Sequence, residues 1–352
     1  MFAGGDFQTE KMFTLTVLGL LLLPFLIIGG GLALFWKRKR RAVWRWSGTL
    51  YLLAAVLLVV GVGPYWMAWR IVHTGSRAPD LQLKDTPRDY GASYEDITFE
   101  AQDSLLLKGW FISPSRKNAV LLCTHGLFRN RVEMLSRAMA TVKAGYGALL
   151  YDSRSHGTSS KGLVSLGYYE KRDVLGGIHY IENRYHSGNT SPKIVLMGVS
   201  MGAVATLQAA AESKDYSALI LDSPFSSFTE TIVDHTWLFL GLPRYPFTSM
   251  FLFWFQRLAG FDPRQVDSRQ AIMRVQPVPV LIISSDGDRR IPAKVARSLY
   301  QQSRARVKKL EIFGPDVGHG AAARLHPEAY ATVLVNFLDS ALGYASSGVS
   351  QP

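Results

Sequence analysis

The sequence holds a single cysteine, Cys123, among 352 residues. One thiol excludes an intramolecular disulfide and leaves the redox compartment undecided. It stands in the apolar run Ala119-Val-Leu-Leu-Cys123, where a small buried hydrophobe is expected rather than a nucleophile. Cysteine and histidine clusters at metal-ligand spacing are missing, and so is a glycine-rich phosphate loop, so neither a metal nor a cofactor is expected. No internal repeat is visible, which argues against a solenoid. Acidic residues are the scarcer charge, with 27 Asp and Glu against 39 Lys and Arg and a net charge of +12.

Charge of either sign is missing from two stretches, the 25 residues Met12–Trp36 and the 23 residues Ser47–Trp69. Each exceeds the roughly 20 residues that cross a bilayer as a helix. Trp36, Trp44, Trp46, Trp66 and Trp69 stand at or beside their ends, as an interfacial aromatic belt requires. The first stretch is longer than the apolar core of a cleaved signal peptide, about 7–15 residues, and its basic cluster follows it instead of preceding it. A retained transmembrane hairpin over residues 1–69 is therefore expected, with the bilayer as a partner. Lys37, Arg38, Lys39, Arg40, Arg41 and Arg45 lie in the short connection. Moving each across a potential of ~100 mV costs about 2.3 kcal/mol, which keeps the connection cytoplasmic. The rest of the chain then lies on the extracytoplasmic side. These six cations account for half of the net charge, and nucleic-acid binding is not expected.

Residues 70–94, with Gly75, Pro79, Pro87 and Gly91, show no periodicity and read as a linker. Strands are then predicted at Ile97–Ala101, Leu106–Ser113, Val120–Thr124, Ala148–Asp152, Ile194–Gly198, Ala218–Asp222, Val280–Ser284 and Lys309–Phe313. Helical patterns fall at Glu133–Ala144, Tyr168–Tyr185, Met201–Ser213, Ala293–Ser303 and Pro327–Leu342. Continuous apolar strands alternating with helices imply an α/β fold around a mostly parallel sheet buried on both faces. More than fifty residues separate Asp222 from Val280, and they include Trp237-Leu-Phe-Leu and Phe251-Leu-Phe-Trp-Phe. A polar loop does not have this composition, so a helical cap is expected over about 224–276. The small polar residues of 344–352 read as a disordered tail.

Gly198-Val-Ser-Met-Gly202 follows a predicted strand and opens a predicted helix. In that setting a G-x-S-x-G turn lifts a serine hydroxyl, here Ser200, above the sheet edge. The N–H of Met201, at the positive end of the helix, then faces a developing oxyanion. A serine needs a base, and the base needs an acid to orient it. Two later strand-end loops carry candidates: Asp286-Gly-Asp288-Arg-Arg-Ile-Pro292 and Gly314-Pro-Asp316-Val-Gly-His319-Gly. His319 is the expected base, with His125 and His156 as rivals. The acid is Asp288, with Asp286 and Asp316 as alternatives. In Thr124-His-Gly-Leu127 the expected contribution is the N–H of Leu127, a second oxyanion donor.

With these residues placed, the chain resembles the α/β-hydrolase superfamily over about 95–340, within an expected hydrolase domain of 95–343, and looks most like its membrane-anchored esterase and serine-peptidase-like branch. Thr124-His-Gly, Asp152-Ser-Arg-Ser-His-Gly157-Thr-Ser159, Gly198-Val-Ser-Met-Gly202, Asp222-Ser-Pro224, Asp288 with Pro292, and Gly318-His319 carry the resemblance. It implies an eight-stranded sheet flanked by helices, the order Ser, Asp, His, and loops braced by Arg154 and His156. Ser284-Ser285 departs from the His-Gly that often precedes the acid in relatives.

The substrate is expected to be a small-molecule or lipid acyl ester or thioester. Phe251, Trp254 and Phe255 at helical spacing are candidates for an acyl-binding wall, although ordinary lid packing explains the same pattern. A peptidase of the same fold is the alternative, for which Glu230 and Asp234 offer acidic groups. A non-catalytic membrane scaffold is the third reading. Nothing in the sequence decides the oligomeric state.

Overall fold

Five central strands are apolar and closed off from water almost throughout, and this composition places them in the middle of a sheet covered on both faces. A computed structural model describes residues 41–80, 83–186 and 191–345. The strands are β1 (Glu95–Glu100), β2 (Leu106–Ile112), β3 (Ala119–Thr124), β4 (Gly147–Tyr151), β5 (Lys193–Val199), β6 (Ala218–Asp222), β7 (Val280–Ser285) and β8 (Lys308–Phe313). They form one eight-stranded sheet in the order β1-β2-β4-β3-β5-β6-β7-β8. The β1–β2 and β2–β4 pairs are antiparallel, and β4–β3, β3–β5, β5–β6, β6–β7 and β7–β8 are parallel. Every residue of β3, β4, β6 and β7 is buried, whereas edge strand β1 alternates and β8 is half-buried.

Side chains of successive strand residues point to opposite faces, and two cores result. Leu122, Leu149, Leu196, Leu219 and Ile282 belong to one. The helices Glu170–Tyr185, Met201–Ala210, Ser268–Arg274 and Lys294–Gln302 contribute to it. Their neighbours Leu121, Leu150, Met197, Ile220 and Leu281 belong to the other, with the helices Leu135–Lys143 and Pro327–Leu342. Each such side chain contributes about 1.5–3 kcal/mol by leaving water. The helix Met201–Ala210 is buried on all sides, which its run of alanine and glycine permits.

The chain divides into two compact units, Met1–Arg70 with Ile232–Gly260, and Ile71–Thr231 with Phe261–Pro352. The sheet belongs to the second. Helix Arg41–Leu57 runs through a wider turn, Leu58–Val62, into helix Gly63–Val72, which belongs to the first unit up to Arg70. Among the described residues, its stretch Gly48–Val72 is long and apolar enough to cross a membrane, with mean hydropathy 2.0. The expected span Met12–Trp36 lies outside the described residues. So do Lys37, Arg38, Lys39 and Arg40, and the tail from 346.

The insertion between β6 and β7 is helical, with Phe228–Leu240 and Ser249–Ala259 followed by Ser268–Arg274. Only Ile232–Gly260 separates from the sheet unit, so both ends of the expected cap pack with the sheet unit instead. In the first unit, Tyr65 meets Trp254 edge-on at 5.2 Å between ring centroids, and Phe251 stacks on Phe255 at 5.8 Å. The stretch read as a linker also carries structure. Tight helical turns form at Ala78–Asp80 and Pro87–Tyr90, the second capped reciprocally by Thr86 and Asp89. Capping depends on local side-chain chemistry and leaves no periodic signal.

Candidate active site

β5 ends at Val199 and the helix Met201–Ala210 begins one residue later, so Ser200 must make the whole turn. It does so at φ 54°, ψ −118°, a conformation that costs a non-glycine residue on the order of 1–3 kcal/mol. Its N–H donates to the Asp222 carbonyl at 2.8 Å, and its own carbonyl accepts from Val204 N–H at 3.1 Å. The flanking glycines are sterically required. A Cβ on Gly198 would lie 2.3 Å from the Gly202 carbonyl oxygen, and one on Gly202 would lie 2.2 Å from that of Thr124.

His319 follows β8 and Asp288 follows β7. Their strands are adjacent and parallel, so both loops leave the sheet at the edge where Ser200 stands. His319 Nε2 lies 2.8 Å from Ser200 Oγ, and Nδ1 lies 2.7 Å from Asp288 Oδ2. A carboxylate can only accept, so Nδ1 carries the proton and Nε2 keeps its lone pair toward the serine hydroxyl. Asp288 Oδ1 accepts from the N–H groups of Arg290 and Ile291, both at 2.9 Å, and its side chain is closed to solvent. The two alternative acids stand elsewhere. Asp286 is exposed and 3.6 Å from Arg297, and Asp316 is exposed and 2.8 Å from His326.

The rival histidines are buried loop braces. His125 lies 2.7 Å from the Gly126 carbonyl through Nδ1 and accepts from Ser153 N–H at Nε2, 2.9 Å away. His156 sits 2.8 Å from the Arg154 carbonyl and accepts from Phe128 N–H at 3.3 Å. Burial pushes the His125 pKa down. Burial, with His125 alongside, lowers that of His156 from 6.5 to about 4. Arg154 pairs with Asp173 at 2.6 Å and with Asp103 at 2.9 Å, inside the loop that the resemblance assigned to bracing. Cys123 is fully buried on β3, and burial pushes its thiol up to about 12, far from thiolate chemistry.

A Cβ built on Gly126 would lie 3.5 Å from Ser200 Cβ, so the 126–127 backbone passes beside the serine. Gly126 N–H donates to Glu133 Oε2 at 2.7 Å. The N–H groups of Leu127 and Met201 have no acceptor among the described residues. Phe251, Trp254 and Phe255 belong to the other compact unit, where Phe251 and Phe255 are buried.

Sequence reasoning passed over a buried ion pair under the site. Arg137 donates to Asp222 Oδ2 through Nε at 3.1 Å and Nη2 at 3.0 Å. Nη2 also reaches the Gly320 carbonyl at 2.7 Å, beside His319, and Tyr330 Oη donates to Asp222 Oδ2 at 2.8 Å. One guanidinium thus ties the strand end that holds Ser200 N–H to the histidine loop. The Asp222-Ser-Pro224 motif was its only trace in the sequence, since Arg137 sits on an ordinary amphipathic helix.

Residues 120–333 match the alpha/beta hydrolase family. The uncharacterized protein YqkD of Bacillus subtilis is 29% identical over 237 residues, which are 66% of this chain and 75% of that protein. The uncharacterized membrane protein YNL320W of Saccharomyces cerevisiae is 27% identical over 155 residues, 42% of this chain and 51% of that one. Among solved structures, the Pyrococcus furiosus esterase Pf2001 superposes with a TM-score of 0.62 at 22% identity, covering 77% of this chain and 100% of that one. The match spans the strands β3 to β8 and all the loops that meet at Ser200, and on that ground the chain belongs to the alpha/beta hydrolase family.

Proposed function

We propose that the protein is a membrane-anchored serine hydrolase that cleaves acyl esters or thioesters. The observation that carries this reading is the hydrogen-bond chain Ser200–His319–Asp288, with Ser200 held on a strained turn. Ser200 Oγ attacks the acyl carbonyl while His319 Nε2 accepts its proton, and Asp288 stabilises the resulting imidazolium. The oxyanion accepts hydrogen bonds from Leu127 N–H and Met201 N–H. Collapse of the tetrahedral species breaks the bond to the leaving alcohol or thiol, which takes the proton from His319. Water, deprotonated by the same histidine, then releases the acid and restores Ser200.

The helix Gly48–Val72 supports an anchor, and the membrane protein among the relatives supports the same placement. With the cation-rich connection cytoplasmic, the catalytic unit is extracytoplasmic. Fluorophosphonate labelling of the wild type, lost in Ser200→Ala, is the primary test; labelling retained in that variant would overturn the reading. An ester chain-length series run beside aminoacyl amides separates esterase from peptidase. A cysteine placed near Pro352 reacts with an impermeant reagent in intact cells if the topology is right.

A further inference from the structure

The backbone just after the helix Gly63–Val72 is stitched to the loop that carries Leu127. Val72 carbonyl accepts from Val164 N–H at 2.9 Å, which fixes the start of the segment. Gly75 passes so close to the Ser155 carbonyl that a Cβ there would lie 2.4 Å from its oxygen. Ser76 Oγ donates to the Arg129 carbonyl at 2.5 Å and accepts from Gly157 N–H at 2.7 Å. Arg77 N–H donates to the Phe128 carbonyl at 2.9 Å. The Asp80 carbonyl accepts from Asn130 Nδ2, and its carboxylate pairs with Arg77 at 2.8 Å and with Arg129 at 3.4 Å.

Phe128 is the residue that needs this help. It follows Leu127 directly and adopts φ 65°, a region sparsely populated by bulky side chains. Its N–H is held by His156 Nε2 and its carbonyl by Arg77 N–H, so both peptide planes around the strained residue are clamped. The plane between Leu127 and Phe128 is coupled in turn to the direction of the Leu127 N–H. Loops free of such clamps relax out of left-handed conformations.

We infer that Ser76 and Asp80 are positioning residues for the oxyanion hole: the segment Thr74–Asp80 holds the 127–130 loop so that Leu127 N–H faces the acyl oxygen. This rests on the serine-hydrolase reading of Ser200. Neither residue touches substrate: Ser76 acts through the Arg129 carbonyl, and Asp80 through the side chains of Arg77, Arg129 and Asn130. A displacement of about 1 Å at a catalytic donor costs on the order of a hundredfold in rate.

The test uses the full-length protein in detergent, with p-nitrophenyl butyrate as substrate and fluorophosphonate carried to its end point to count working sites. Ser76→Ala and Asp80→Asn are each expected to lower kcat per titrated site about ten- to hundredfold, with KM changed by less than about threefold. The inhibition constant of a trifluoromethyl ketone, whose hemiketal oxyanion needs the same donors, rises by the factor that kcat/KM falls. Ser76→Thr, which keeps the hydroxyl, recovers most of the rate. The inference is overturned if kcat per titrated site stays within about twofold of wild type in both variants, if only the number of titratable sites falls, or if the ketone binds unchanged. A wild-type protein that takes no label at Ser200 would instead mark the failure of the hydrolase reading itself.

Discussion

The two compact units treat polarity in opposite ways. In the sheet unit, every arginine taken out of water is paired: Arg131 with Asp152 at 3.0 Å, Arg137 with Asp222 at 3.0 Å, Arg154 with Asp173 at 2.6 Å. In the unit of the long helix and Ile232–Gly260, large apolar side chains face outward, with Leu50 70%, Leu57 66%, Trp237 65% and Tyr245 67% exposed. Scattered exposed hydrophobics are ordinary, but aromatic and aliphatic groups concentrated in one unit suit a medium other than water. Catalytic geometry needs rigid, satisfied polar contacts, and the proposed anchor needs a surface with none to satisfy. A charge that loses its partner therefore has large consequences in one unit, and an apolar side chain made polar has small ones in the other.

The largest contrast to measure lies among the three aspartates near His319. Asp288→Asn is expected to lower kcat by about 10⁴-fold, because the amide favours the wrong imidazole tautomer. Asp286→Asn and Asp316→Asn, which alter exposed pairs, are expected to leave kcat within about threefold. Steady-state ester hydrolysis reads all three. A deep loss in Asp316→Asn with little in Asp288→Asn would reverse the assignment.

Removal of one half of a buried pair comes next. Arg137→Met strands the Asp222 carboxylate and is expected to cost about 3–5 kcal/mol in denaturant unfolding. Arg264→Met disrupts the exposed pair with Asp262 and is expected to leave the unfolding midpoint nearly unchanged. Equal costs would erase the distinction between paired interior and solvated surface.

Acid sharpens the comparison through His156. Its folded pKa lies below its ordinary value, so the unfolded chain binds more protons between pH 6.5 and about 4. Stability is therefore full above that window and falls as pH drops through it, by up to about 3 kcal/mol. Denaturant titrations at pH 7.5 and 4.5 measure the loss, and His156→Gln is expected to reduce the difference. A stability that rises on acidification would contradict a neutral, buried ring.

The smallest expected effect belongs to the outward-facing aromatics. Trp237→Ser and Phe253→Ser are expected to change stability in detergent by less than about 0.5 kcal/mol each, as surface positions do. A large loss in thermal melting would show that these rings are packed.

Much of this molecule was legible along the chain. Val280-Leu-Ile-Ile and Lys193-Ile-Val-Leu-Met read as buried strands, because they are short, rich in β-branched residues and alternate with longer helical segments. Gly198-Val-Ser-Met-Gly202 announced a turn too tight for side chains on either flank, and the steric contacts of Gly198 and Gly202 bear out that demand. Such features are local: a few consecutive residues carry the whole constraint. The choice among Asp286, Asp288 and Asp316 was not local, since all three stand on strand-end loops within reach of the same histidine. Only the folded backbone aims one carboxylate at Nδ1 and turns the others to Arg297 and His326.

The sequence by itself determined the strands, the helices between them, the strained serine and the long apolar helix, because burial and sterics act through near neighbours. Tertiary structure decided that Arg137 joins Asp222 to Gly320, and that the stretch read as a featureless linker clamps the loop of Phe128. Those contacts link residues far apart in the chain, and hydrogen-bond partners chosen across such distances leave no periodicity or spacing to read.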